Sequence, residues 1–344
     1  MAKVFVTGAN GFIGSHLVDK LLAQGDEVTC LVRATAKRTR LHELPVQIVA
    51  GDVTRPDTLG PGLRTAEIVY HLAGATKSLR KQHLWDVNEG GVRHVLEACA
   101  ERETPPVVLL ISSIAAAGPA RHGTPITEEV EPAPVSNYGR SKLAGERVAR
   151  EFAARLPITI MRPPVVFGEA DPYSIDLFRP VARLGMLIGP GLRQARFSLI
   201  HADDLVQAMI LAVSRGQRLP PVPGQRAEPD LRSGAGIYFA AADEHPLFGE
   251  WARLIATALG RRRVLVIMPP GGYLVWPVAA VMELISRVRG SQAIFNWDKA
   301  REVFAGSWWC SDRALRAATG FQPAATLSVR LRQTADWYRA AGWV

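Results

Sequence analysis

Short apolar, largely β-branched runs alternate with amphipathic stretches through the first half of the chain. That rhythm predicts parallel strands separated by helices. The candidate strands are Lys3–Thr7, Glu27–Val32, Gln47–Ala50, Ile68–Leu72, Val107–Ser112 and Ile158–Arg162. Each is nearly all apolar, as a strand covered on both faces must be. Between the first two, Ile13, Leu17 and Leu21 with Val18 and Leu22 form an i, i+4 stripe, and Gly25 offers a C-terminal stop. Asn88 to Arg102 and Ser141 to Arg155 also read as helices.

After about residue 165 the alternation loosens. A strand-like Arg196–His201 leads into a helix from Asp203 to about Val213. Residues 219–229 form a polar, proline-rich loop, and Ile237–Ala241 is expected to return to the sheet. The remainder reads as mostly helical and ends in Trp337, Tyr338 and Trp343. The expected fold class is α/β: a doubly wound parallel sheet over residues 1–165, with returns near 196–213 and 237–241, and a smaller, mostly helical C-terminal lobe over 166–344.

Composition removes several classes. With 344 residues, 48% hydrophobic and 21% charged, the chain can bury a large core, and neither disorder nor a fibre is expected. Cys30, Cys99 and Cys310 are too scattered for a disulfide framework and lack metal-ligand spacing, so no metal site is expected and a reducing cytoplasm fits. No signal peptide is expected, because a glycine-rich motif begins at residue 8. The apolar region Gly271–Ile285 is short of a membrane span and is interrupted by Pro277 and Glu283.

The net charge of +9 draws on Lys37, Arg38, Arg40, Arg261 to Arg263, Arg287 and Arg289. No aromatic-basic interleaving accompanies these residues, so nucleic acid is not an expected partner. A phosphorylated cofactor, an anionic substrate or a generally basic surface accounts for the charge.

Chemistry begins at Thr7-Gly8-Ala9-Asn10-Gly11-Phe12-Ile13-Gly14, which joins the first strand to the first helix. Glycines at 8, 11 and 14 permit a tight turn, a close approach of backbone to pyrophosphate, and close helix–strand packing. The helix N-terminus then presents unpaired N–H groups to the phosphates of a dinucleotide. An acid usually ends the second strand where NAD binds, to hydrogen-bond the ribose 2′-OH. Here the strand ends Leu31-Val32-Arg33, with Lys37 and Arg38 following. A guanidinium suits a 2′-phosphate, so NADP(H) is favoured over NAD(H); a merely solvated Arg33 is the alternative.

Tyr138 and Lys142, four apart in Tyr138-Gly139-Arg140-Ser141-Lys142, share one helical face. A free phenol is a poor base at neutral pH, and a neighbouring ammonium is expected to lower its pKa. Ser113 closes the fifth strand at the carboxyl edge, where open α/β sheets bind ligands. Its hydroxyl is placed to orient a reacting oxygen beside the tyrosine.

With these motifs in hand, the chain resembles an extended short-chain dehydrogenase/reductase of the epimerase, dehydratase and 3β-hydroxysteroid-dehydrogenase-like group. The resemblance runs through TGANGFIG (7–14), GDVT (51–54), HLAGAT (71–76), Asn88 in DVNEGG, SS (112–113), YGRSK (138–142), MRPPVVFG (161–168) and IHADDL (200–205). It implies a Rossmann domain with a substrate-binding C-terminal lobe. It also implies that Ser113, Tyr138 and Lys142 form a catalytic trio, with Lys142 holding the nicotinamide ribose. Asn88 falls near the cofactor and active centre and would join the catalytic group. Asp52 and Val53 would flank the adenine, Leu72, Ala73 and Gly74 would line the cofactor beyond it, and Pro164 and Val165 would border the nicotinamide.

The resemblance leaves the reaction open. Sugar-nucleotide members carry an asparagine where this chain has Val165, and valine cannot supply its hydrogen bonds. They also carry an arginine where this chain has Phe197, the arginine being shifted to 196. Pro269 to Ile285 is apolar enough to line a pocket for a lipophilic substrate, to touch a membrane surface beside Arg287 and Arg289, or simply to pack. The expected activity is therefore interconversion of a secondary alcohol and a ketone, or reduction of a carbonyl, by hydride transfer on a sterol-like or other lipophilic small molecule. A nucleotide-sugar epimerase or dehydratase with tightly held NAD(P) is the alternative, and a non-catalytic scaffold stands behind both. A homodimer is left open.

Overall fold

The computed structural model describes residues 1–36, 41–78, 80–121, 123–189, 195–221, 234–268 and 297–344. Lys37, Arg38 and Arg40, most of the proline-rich loop, and Pro269 to Arg289 lie outside the described residues.

The first half alternates as its pattern predicts: β1 (Lys3–Thr7), α1 (Phe12–Ala23), β2 (Glu27–Val32), β3 (Gln47–Ala50), α2 (Gly60–Leu63), β4 (Ile68–His71), α3 (Lys81–Trp85), α4 (Gly91–Ala100), β5 (Val107–Ile111), α5 (Ile114–Ala117), α6 (Asn137–Glu151) and β6 (Ile158–Arg162). It continues through β7 (Val165–Phe167), α7 (Ile175–Leu184), β8 (Met186–Ile188), β9 (Leu199–His201), α8 (Ala202–Arg215), β10 (Ile237–Phe239), α9 (Phe248–Ala258) and β11 (Leu265–Ile267). The last helices are α10 (Trp297–Phe304), α11 (Arg313–Thr319) and α12 (Leu327–Ala340).

Seven parallel strands form the main sheet in the order β10-β6-β5-β4-β1-β2-β3. The order reverses between β1 and β4, which opens a ligand crevice at the carboxyl ends of those strands. The sheet is buried on both faces. Val4, Val6, Cys30, Leu109 and Met161 pack against α1 and α8, while Phe5, Val69, Val108, Leu110 and Ile160 pack against α4 and α6. A separate core around Phe167, Phe178, Trp251, Ile255, Leu331 and Tyr338 forms the C-terminal lobe.

Three expectations change in detail. The strand expected over 196–201 shortens to Leu199–His201 and pairs with β7, not with the main sheet. The helix expected from Asn88 begins as a π-helical turn, Asp86–Gly90, that continues α3 into α4. The helix expected from Ser141 starts at Asn137, because the Ser136 hydroxyl accepts the Gly139 N–H at 2.9 Å and caps it. The Tyr138 motif therefore lies within the first turns of α6.

Among the described residues, no helix is long and apolar enough to cross a membrane. His16, Glu169 and Asp203 gather ligand-type atoms. The His16 nitrogens, however, are already engaged by Asp203 Oδ1 at 2.8 Å and the Glu169 carbonyl at 3.0 Å. That contact ties α1 to the β7 and α8 connections.

Candidate active site

Gly8 leaves β1 with φ +73°, and a Cβ there would come within 2.8 Å of both Ala73 N and Leu72 C. Only glycine lets the turn pass under the end of β4. Beyond it, Gly11 caps α1 without a side-chain hydrogen bond, and the first turn carries no acid. Asn10 and Gly11 are exposed, Phe12 and Ile13 half-buried and Gly14 buried. The free N–H groups and positive helix end facing a groove at the switch point fit a dinucleotide pyrophosphate.

The other expected cofactor residues differ in burial and local support. Arg33 is exposed just beyond β2. The Asp52 carboxylate accepts the Thr54 N–H at 2.9 Å and its hydroxyl at 2.8 Å, which stiffens the loop after β3. Val53 is buried, and its carbonyl accepts from His94 at 2.8 Å. Leu72 and Ala73 are half-buried and Gly74 exposed; Pro164 is buried and Val165 half-buried. Lys37 lies outside the described residues.

Ser113, Tyr138 and Lys142 are brought to one place. Gly139 makes this possible: a Cβ there would stand 2.3 Å from the Ala115 carbonyl oxygen, so any other residue would push α6 off the Ser113 turn. The Tyr138 phenol hydrogen-bonds the Ser113 side chain. Ser113 also caps α5, accepting the Ala115 N–H at 3.1 Å. Lys142 is buried, and its Nζ donates to the Ile111 carbonyl at 2.5 Å.

The electrostatics correct one expectation. Burial pushes the Tyr138 phenol up to about 12; the Ser113 hydrogen bond opposes this, while Glu302 and Tyr173 add to it. The Lys142 ammonium is turned toward the end of β5, where it meets the Ile111 carbonyl. Burial lowers Lys142 itself to about 8, against the raising influence of Glu146 one turn away.

Asn88 is held by the protein at both ends of its amide. Its amide donates to the Ala75 carbonyl at 2.8 Å and the Ser141 hydroxyl at 2.9 Å, and its carbonyl accepts the Ala75 N–H at 2.9 Å. It ties the loop after β4 to α6. The neighbouring Thr7 hydroxyl accepts the Ala73 N–H at 3.1 Å and bonds His71 Nδ1 at 2.8 Å. Burial and the charge of Lys142 hold His71 neutral, at about 3.

Some supporting residues had no reading in the sequence. Asp298 on α10 accepts the backbone N–H groups of Asn137 at 2.8 Å and Tyr138 at 3.1 Å. Glu302, one turn later, accepts from the Ser136 hydroxyl at 2.6 Å. The C-terminal lobe thereby holds the first turn of α6. Deeper along α6, Glu146 forms a buried pair with Arg162 of β6, at 2.9 Å to Nε and 2.6 Å to Nη2. Its i+4 spacing from Lys142 was the one available signal. At the mouth, Lys77 lies 5.2 Å from the ring centroid of the exposed Tyr173.

The family profile described as the NAD dependent epimerase/dehydratase family matches residues 4–222, which span the glycine turn, the serine and the Tyr138–Lys142 pair. The chain belongs to that family. It is an NAD(P)-dependent enzyme of the extended short-chain dehydrogenase/reductase type. It is 31% identical over 342 residues to the ceramide reductase of Caulobacter vibrioides, covering 99% of this chain and 96% of that one. Human sterol-4-alpha-carboxylate 3-dehydrogenase, decarboxylating, is 26% identical over 352 residues, 97% of this chain and 87% of the human one. The UDP-glucose 4-epimerase of Thermus thermophilus, solved with NAD, shares the fold at TM-score 0.72 and 24% identity, over 98% of this chain and 99% of the other.

Proposed function

We propose that this chain reduces the carbonyl of a lipophilic ketone to a secondary alcohol with NADPH. The observation that carries the reading is the Tyr138 phenol, hydrogen-bonded to Ser113 at the carboxyl edge of the sheet. A protonated phenol is the acid that carbonyl reduction needs; alcohol oxidation needs its conjugate base. Bound nicotinamide would supply the hydride to the carbonyl carbon. Tyr138 gives its proton to the carbonyl oxygen, and the Ser113 hydroxyl holds that oxygen in place. Lys142, buried with its Nζ at the end of β5, would steady the ribose.

Arg33 supports NADPH over NADH, because it stands exposed at the end of β2, where a 2′-phosphate would engage its guanidinium. The relatives support a lipophilic substrate, one being named for ceramide and the other for a sterol carboxylate. A nucleotide sugar is less well supported. Phe197 packs against Phe248 and Trp251, while the displaced Arg196 lies over Trp309 and donates to the His245 carbonyl at 3.1 Å. A non-catalytic scaffold would have no use for the Ser113–Tyr138 bond beside a buried lysine.

Titration with NADPH and NADH followed by nicotinamide fluorescence, then turnover with long-chain and sterol ketones, tests the reading. Tight, exchangeable NADPH and steady NADPH consumption are expected. Purification with NAD(H) locked in place and turnover of a nucleotide sugar without net cofactor use would overturn it.

A further inference from the structure

The small ribbon of β8 and β11 plays no part in the site above. Its strands run parallel, with Met186 beside Leu265, Leu187 beside Val266 and Ile188 beside Ile267. Alternation turns Leu187 and Val266 into the C-terminal core and the other four side chains to the opposite face. There Ile188 is 65% exposed, Leu265 61% and Ile267 36%, and Leu184, two residues before β8, is 70% exposed. Half of the eight exposed large hydrophobic residues among those described therefore sit on one ribbon and its lead-in. Single exposed apolar residues need no explanation, but a contiguous platform marks a contact surface.

The chain leading into both strands of this platform is basic. Arg183, Arg261, Arg262 and Arg263 are all exposed, and none is ion-paired among the described residues. The Arg261 guanidinium donates to the Ala182 carbonyl at the end of α7, which fixes it beside the lead-in. Residues 180–189 and 259–268 contain no acid. A two-fold contact through this face would gather two copies of the same unpaired arginine border into one interface. The platform is also purely aliphatic with flanking arginines, without the Tyr and Trp anchors that dominate protein–protein contacts.

We propose that this face docks on an anionic phospholipid bilayer, with Leu184, Ile188, Leu265 and Ile267 entering the headgroup boundary and the four arginines meeting lipid phosphates. Apolar insertion and a basic border reinforce one another, since either alone holds a protein only weakly on a membrane. The inference is independent of the reaction and of its substrate.

Sedimentation of the intact protein with vesicles of phosphatidylcholine, with and without phosphatidylglycerol, tests it. Binding is expected only with the anionic lipid and should weaken as salt screens the arginines. The pairs Ile188→Ser with Leu265→Ser, and Arg262→Glu with Arg263→Glu, should each lower partitioning by about tenfold or more. Unchanged circular dichroism and NADPH affinity would show that these variants fold. Equal binding to neutral vesicles, no binding at all, or wild-type binding by both folded variants would overturn the proposal. So would a concentration-dependent dimer abolished by Leu265→Ser, or capture of an acidic protein without any vesicle binding.

Discussion

The Asp298 carboxylate accepts the backbone N–H of Tyr138 at 3.1 Å, across 160 residues of sequence. The residue that carries the proton is thus held by a helix of the C-terminal lobe, at a helix end whose N–H groups would otherwise lack partners. Asp298→Ala should cost about 1 kcal/mol of stability, as loss of a helix cap does. It should also lower kcat while leaving NADPH affinity intact. Paired thermal unfolding and steady-state kinetics check both; unchanged kcat in a folded variant would separate Asp298 from Tyr138.

Tyr138→Phe removes the proton but keeps the ring. Its kcat should fall by about 10²–10⁴-fold, the scale of general acid catalysis. NADPH affinity, read by fluorescence, should persist. Retained turnover would remove Tyr138 from its role.

Glu302 raises the phenol, so Glu302→Gln should lower it from about 12. In the alcohol-oxidising direction, where the phenolate is the active form, the rising limb of the pH–rate profile should move to lower pH. A profile that falls in height without moving would mean that Glu302 only supports the fold.

Lys142 has a lowered pKa in the folded protein, about 8 against 10.5 when free. Below about pH 8 the ammonium is charged in both states, and its burial opposes folding in full. Between about 8 and 10.5 the unfolded chain binds a proton that the folded protein has released, so this contribution to stability rises with pH. Lys142→Met should flatten that segment of a denaturant-midpoint series against pH. An unaltered slope would place the titration elsewhere.

Arg33→Ala should weaken NADPH by roughly tenfold or more, the scale of a lost charge-assisted hydrogen bond, and leave NADH nearly unchanged. Parallel titrations decide it. Equal losses for both cofactors would sink the 2′-phosphate reading.

The division between sequence and structure follows from the range of the interactions. Burial on both faces of a parallel sheet forces runs such as Lys3–Thr7 and Val107–Ile111 to be apolar, and the Gly8 turn admits only glycine. Strand identity and the glycine motif are therefore written locally and can be read without a partner. Tyr138 and Lys142 are legible for the same reason, since four-residue spacing on one helix face is local geometry.

What lay beyond the sequence involves distant segments. Nothing near Asp298 or Glu302 announces that α10 will cap α6, and nothing near Ser136 names its partner 166 residues away. The direction of the Tyr138 shift is of the same kind. The sequence places a lysine four residues on and suggests a lowered phenol, whereas packing buries that phenol and turns the lysine to the Ile111 carbonyl. The pairing of Leu199–His201 with β7 likewise joins segments that are distant in the chain. The sequence by itself determined the strands of the main sheet, the cofactor turn and the tyrosine–lysine pair, because short-range sterics and periodicity dictate them. Only the tertiary structure decided what holds the tyrosine and which way its proton is biased, because burial and long-range carboxylates set both.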